Sequence, residues 1–207
     1  MTSRNQPGLF SELPDASRRG GRRSSYFFAL WPDVAVRRRL ASAAAALPLG
    51  EGGVAYRIKP ERLHLTLAWL GDIGRAQVDA AILAAEDVQA RSFLLRLDRT
   101  GHFPNASTAW LGPSSLLPAL ARLKAELDRE LLRYGLPVAS EAFVPHLSVQ
   151  RNVRTLAEAP PFEVLWPVTG FALLRSARSN GKADGYRVVR RWMLDTGALA
   201  VHNRGDR

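Results

Sequence analysis

Three stretches with apolar residues at helical spacing recur along this chain, and each is separated from the next by short, alternating apolar segments that read as strands in pairs. That order constrains the fold more than any other feature. A parallel sheet needs a crossover after every strand, whereas strands arriving in pairs favour antiparallel partners, so an α+β architecture is expected and a doubly wound sheet is not. Residues 26–31 read as a buried strand. Asp33 then caps a helix whose stripe is Val36, Leu40, Ala43 and Leu47, ended by Pro48 and Gly50. Residues 54–58 and 63–70 read as strands, and residues 75–90 as a second helix with Val78, Ile82, Ala85 and Val88 on successive turns. Residues 93–97 and 108–111 read as strands with a turn at 101–105 between them. The third helix is expected after a cap at Ser114 or Ser115, with Pro118 in its first turn, a stripe of Leu116, Leu120, Leu123, Leu127 and Leu131, and a stop at Gly135. Residues 145–150, 163–175 and 185–195 complete the series as strands, giving β-α-β-β-α-β-β-α-β-β-β.

No run of about 18 apolar residues is present, so no membrane-spanning helix is expected. The chain has no cysteine, which removes disulfides, thiolate nucleophiles and zinc-thiolate sites from consideration. No phosphate-binding loop or dinucleotide fingerprint occurs. Residues 1–24, rich in Gly, Pro and Arg and poor in aliphatic side chains, are predicted to be a disordered basic tail; residues 25–197 are expected to form the folded unit and residues 198–207 a flexible C-terminal tail. The start has arginines without the apolar stretch of a secretory signal, so a cytoplasmic protein is expected. With 29 Lys+Arg against 19 Asp+Glu, the formal charge is +10. Such a balance attracts polyanions, nucleic acid first among them, although an arginine-rich composition alone would also produce it.

Of four histidines, two stand in near-identical tetrapeptides 82 residues apart: His64-Leu65-Thr66-Leu67 and His146-Leu147-Ser148-Val149. In a strand, residues i and i+2 share a face. Each segment would therefore present an imidazole and a hydroxyl together, with its aliphatic residues pointing into the core. Two such strands facing one another would surround a small polar site with two imidazoles and two hydroxyls. One neutral imidazole can take a proton from water while a protonated one gives a proton to a leaving oxygen, and hydroxyls can hold phosphoryl oxygens. The alternative is a pair of half-buried strand histidines with structural roles. Two histidines without a neighbouring carboxylate or thiol make a poor metal shell, so no metal or other cofactor is expected.

The paired tetrapeptides, together with the segments at 26–32, 63–71, 101–105, 110–112 and 145–151, resemble the 2H phosphoesterase superfamily, and more narrowly the bacterial RNA 2′,3′-cyclic phosphodiesterases once called 2′-5′ RNA ligases. The resemblance implies a two-lobed α+β fold, with two largely antiparallel sheets flanking a central cleft and helices outside. It also implies that His64 and His146 are catalytic, His64 as acid and His146 as base, with Thr66 and Ser148 binding phosphate. Serine departs mildly from the family's usual threonine at the second motif. The implied partner is RNA ending in a 2′,3′-cyclic phosphate, opened by a monomer to a 2′-phosphomonoester, with weak reverse ligation. An RNA-binding module with incidental chemistry, or a phosphoesterase for a small cyclic nucleotide, stays open as an alternative.

Arg151 matches a basic residue that often follows the second motif. Strict alternation sets it on the face opposite His146, so it reaches the phosphate only if the strand ends or bulges near Gln150. His102 is expected to be structural, His202 solvated, and the basic segment at 175–187 a hairpin loop able to touch an RNA backbone.

Overall fold

The structure, a computed structural model, describes residues 24–51, 54–156, 158–179 and 182–196. The expected tails, apart from Ser24 at the first strand, and His202 lie outside the described residues. In order the elements are β1 (Ser24–Leu30), α1 (Val34–Ala46), β2 (Tyr56–Arg57), a single 3₁₀ turn (Pro60–Arg62), β3 (Leu65–Gly71), α2 (Arg75–Glu86), β4 (Phe93–Leu97), β5 (Arg99–Phe103), β6 (Thr108–Gly112), α3 (Pro118–Arg133), β7 (Leu147–Arg151), β8 (Val164–Val168), β9 (Gly170–Ser179) and β10 (Lys182–Met193). All sheet pairing between these strands is antiparallel. Eight strands form one sheet along the path β10-β9-β1-β3-β7-β6-β5, with β2 also on β7, and β4 and β8 form a second, two-stranded sheet.

The expected lobes are the two halves of the large sheet. They meet where β3 and β7 share one recorded pair, Leu65↔Leu147. One face of both halves is covered. Phe28, Leu30, Leu65, Leu67, Leu147 and Val149 from the sheet join Leu40, Ala81, Leu120, Leu127, Leu97 and Trp166 from the helices and the small sheet in a single apolar core. The opposite face carries a small buried cluster of Phe27, Ala29, Ala172 and Leu174, flanked by Trp31 and Tyr186.

Local signals account for most boundaries. The Asp33 carboxylate accepts the Val36 N–H, capping α1 as expected. Helix α2 stops at Glu86, four residues short of the expected end, and buries Ala81, Ala84 and Ala85. Neither Ser114 nor Ser115 caps α3. The Ser114 hydroxyl and N–H both bond Asp98, and Leu117 stands at the cap with Pro118 beginning the helix. Consequently Leu116 lies outside the stripe and is exposed. Gly135 follows α3 with a φ of 74°, the left-handed conformation that ends a helix.

Two strand expectations change. The stretch at 163–175 is two strands, parted at Thr169, because β8 pairs with β4 while β9 joins β1 and β10. The expected turn at 101–105 begins as strand β5, hairpinned to β6. Gly101 is there because the Trp110 ring lies against it: a Cβ at that position would overlap the ring.

Candidate active site

Both tetrapeptides fall at the seam between the halves of the sheet. Each histidine is the residue just before its strand, not inside it, since β3 begins at Leu65 and β7 at Leu147. The alternation holds nonetheless: Leu65, Leu67, Leu147 and Val149 are buried in the core, while His64, Thr66, His146 and Ser148 are half-buried. Continuing the Leu65↔Leu147 register by one residue sets His64 opposite Ser148 and Thr66 opposite His146. The two imidazoles are then diagonal neighbours, whose Cα atoms in such a ladder lie about 7–8 Å apart. Each motif therefore supplies the hydroxyl that flanks the other motif's imidazole.

The rings are held in the same way on both sides. His64 Nδ1 lies 2.7 Å from the Arg62 carbonyl and His146 Nδ1 2.8 Å from the Val144 carbonyl. A carbonyl only accepts, so Nδ1 carries the hydrogen in both and Nε2 is the nitrogen left for chemistry. Aromatic rings wall each imidazole. Phe27 and Tyr186 stand 5.0 Å from His64, with Trp31 at 6.2 Å; Phe103 stands 4.8 Å and Trp110 6.4 Å from His146. Neither the Thr66 nor the Ser148 hydroxyl has a hydrogen-bond partner among the described residues.

A bulge shifts the phase of each strand beyond its histidine. Across β6 and β7, Trp110 pairs with Ser148 but Ala109 pairs with Gln150, so Val149 is the extra residue and the alternation slips after it. Arg151 thereby comes to the face of His146 and Ser148, where its Nη1 donates to the Thr108 hydroxyl at 2.8 Å. Gln150 is fully buried behind it, accepting from the Gly50 N–H and donating to the Pro48 carbonyl. Across β1 and β3, Ala29 pairs with Thr66 but Phe28 pairs with Ala68, which skips Leu67 and turns Trp69 to the open face, stacked on Phe27 at 5.6 Å. Five residues beyond each histidine, a position that alternation would hide is exposed by a bulge.

Burial, the Coulombic effect of His146 and the positive charges of Arg151 and Arg62 hold the His64 pKa down at about 4, against an opposing backbone hydrogen bond. His146 is also lowered, by burial and then by Arg151, with its hydrogen bond to the Val144 carbonyl opposing. Arg151 thus acts on both rings. Among the described residues, no three His, Asp or Glu side chains converge as a metal shell.

Sequence reasoning named the two histidines, the two hydroxyls and Arg151, and the structure brings all five to one face. It missed the aromatic walls and Arg62. The period-2 series Phe27, Ala29, Trp31 was a signal for part of the wall; Tyr186, from a distant strand, had none. His102 points elsewhere: its Nε2 donates to the Val153 carbonyl at 2.9 Å, tying the β5–β6 hairpin to the segment after β7.

Residues 32–180 match the family described as the 2′-5′ RNA ligase superfamily. The chain is 30% identical over 139 residues to the RNA 2′,3′-cyclic phosphodiesterase of Escherichia coli K12, covering 66% of this chain and 78% of that protein. It is 31% identical over 150 residues to the enzyme of the same name from Thermus thermophilus, covering 66% and 74%. Its fold is similar to that of a crystal structure of Escherichia coli LigT complexed with 3′-AMP, with a TM-score of 0.71 and 28% identity over 84% of this chain and 98% of that one.

Proposed function

Because the chain belongs to the 2′-5′ RNA ligase superfamily and has its two-lobed 2H phosphoesterase fold, we propose that it is an RNA 2′,3′-cyclic phosphodiesterase, working through His64 and His146 without a metal. One observation carries the mechanism: two imidazoles on adjoining strands, each with Nδ1 bonded to a carbonyl, leave two Nε2 atoms beside two free hydroxyls and Arg151. The cyclic phosphate binds between them, its non-bridging oxygens taken by Thr66, Ser148 and Arg151. His146 Nε2 removes a proton from water as the water oxygen bonds to phosphorus. The bond from phosphorus to O3′ breaks, and His64 gives its Nε2 proton to O3′, leaving a 2′-phosphomonoester and a 3′-hydroxyl.

In the free enzyme His64 is neutral at pH 7, since its pKa is about 4. The substrate's negative charge opposes the burial and the arginine charges, so it is the bound phosphate that favours protonation of the acid. The test is turnover, in EDTA, of an oligonucleotide ending in a 2′,3′-cyclic phosphate, with the product phosphate mapped. Hydrolysis to a 2′-phosphate is expected. No turnover of this end, hydrolysis of small cyclic nucleotides only, or metal-dependent activity would overturn the reading.

A further inference from the structure

Arg62 is a cation at the edge of this site with no anionic partner among the described residues. Its carbonyl orients His64, but its guanidinium turns to Tyr186, lying over that ring at 5.0 Å and donating weakly to the phenol oxygen at 3.4 Å. The side chain is half-buried, its Nε is buried without a hydrogen-bond partner, and it makes no ion pair among the described residues. A guanidinium partly withdrawn from water with an idle donor is costly until an anion meets it. The neighbouring Arg37 also has a buried Nε without a partner, but it lies over Trp31, donates to the Pro32 carbonyl, and has the Glu61 and Asp33 carboxylates, as well as Arg191, acting on it. The edge near Arg62 is therefore poised for an anion from outside.

Geometry says which one. Arg151 serves the space between the histidines, whereas Arg62 is separated from His64 by a single ring, Tyr186, on the β10 side. A nucleotide whose cyclic phosphate sits between the histidines has its other phosphate on O5′, across the ribose. We propose that Arg62, braced by Tyr186, is a second phosphate subsite that takes the O5′ phosphate of the terminal nucleotide, which in RNA is the last internal phosphodiester. This rests on the terminal phosphate lying between His64 and His146, and it makes the enzyme selective for chain ends over nucleoside cyclic phosphates.

Three substrates test it: a nucleoside 2′,3′-cyclic phosphate, a dinucleotide with the same end, and that dinucleotide with a neutral methylphosphonate linkage. A guanidinium–phosphate hydrogen bond supports about a tenfold to hundredfold effect. In the wild type, kcat/KM should fall by that factor when the linkage is made neutral. In Arg62→Gln the charged and neutral linkages should become equivalent, and Arg62→Lys should recover part of the difference. Arg37→Gln should retain the discrimination. A wild-type enzyme indifferent to the linkage charge, or an Arg62→Gln enzyme that still discriminates, would overturn the subsite while leaving the proposed function standing. Failure of the wild type on all three substrates would instead overturn the function, and the subsite with it. Because the wild-type comparison needs no variant, the test holds even if Arg62→Gln folds poorly.

Discussion

The two imidazoles are the residues on which the proposed chemistry turns, and they differ in their surroundings. His64→Ala and His146→Ala are each expected to lower kcat by about 10²–10⁴, and the double variant by less than the product of the two, measured by single-turnover hydrolysis. A substrate with a better leaving group should rescue the variant lacking the acid, His64→Ala, far more than His146→Ala. The pH dependence follows from the shifts. The kcat/KM profile reports the free enzyme, where His64 titrates near 4 and His146 below its ordinary value of about 6.5, so the bell should peak on the acid side of 6.5. The kcat profile reports the complex and should lie at higher pH, because bound phosphate raises both groups. Stability carries the same signature. Between about 6.5 and 4 the unfolded chain binds a proton at His64 that the folded chain does not, so stability should decline as pH falls through that window, read by denaturant titration. The duplicated motif made these residues legible in the sequence, since chance seldom repeats a histidine and a hydroxyl at the same spacing. Arg62 was not legible, because nothing in local pattern tells a paired arginine from an unpaired one.

At the scale of elements, alternation located the core faces of β3 and β7 beside the histidines but could not foresee where the phase would slip. Residue 151 illustrates this: its side was a conditional inference from the sequence, and the extra residue at Val149 supplies the condition. Nothing in Leu147-Ser148-Val149-Gln150 announces a bulge; its cause lies in the partners of Gln150, at Gly50 and Pro48, about a hundred residues away. Strand β5 escapes the sequence for the same kind of reason, since a glycine beside a histidine and Phe-Pro-Asn looks like a turn until Trp110 is seen lying on it. That contact makes a prediction. Gly101→Ala should displace the Trp110 ring and cost about 1–3 kcal/mol, the usual range for forcing a methyl into a packed space, measured as a drop in unfolding free energy. Because Trp110 also flanks His146, kcat should fall as well.

The whole molecule divides at the seam, with the helices and small sheet backing both halves on the covered side. A chain beginning at Ser24 is expected to keep its fold and its turnover, because β1 pairs from Ser24↔Ala177 onward; circular dichroism and the cyclic-phosphate assay would check this. Its affinity for long RNA at low salt should be lower, since the missing segment holds five of the arginines. The halves are not equal in how the chain builds them. One, with β5, β6 and β7, comes from residues 99–151, with only β2 added from earlier. The other joins β1 and β3 to β9 and β10, with Ser24 of β1 paired to Ala177 of β9. Such distant pairings close late. A chain under synthesis therefore exposes both histidines long before Tyr186, on β10, arrives to wall His64 and brace Arg62. On refolding, the contiguous half should gain protection from hydrogen exchange first and activity should return only in the slowest phase. The nascent protein would thus be unable to open a cyclic phosphate end until β10 is made.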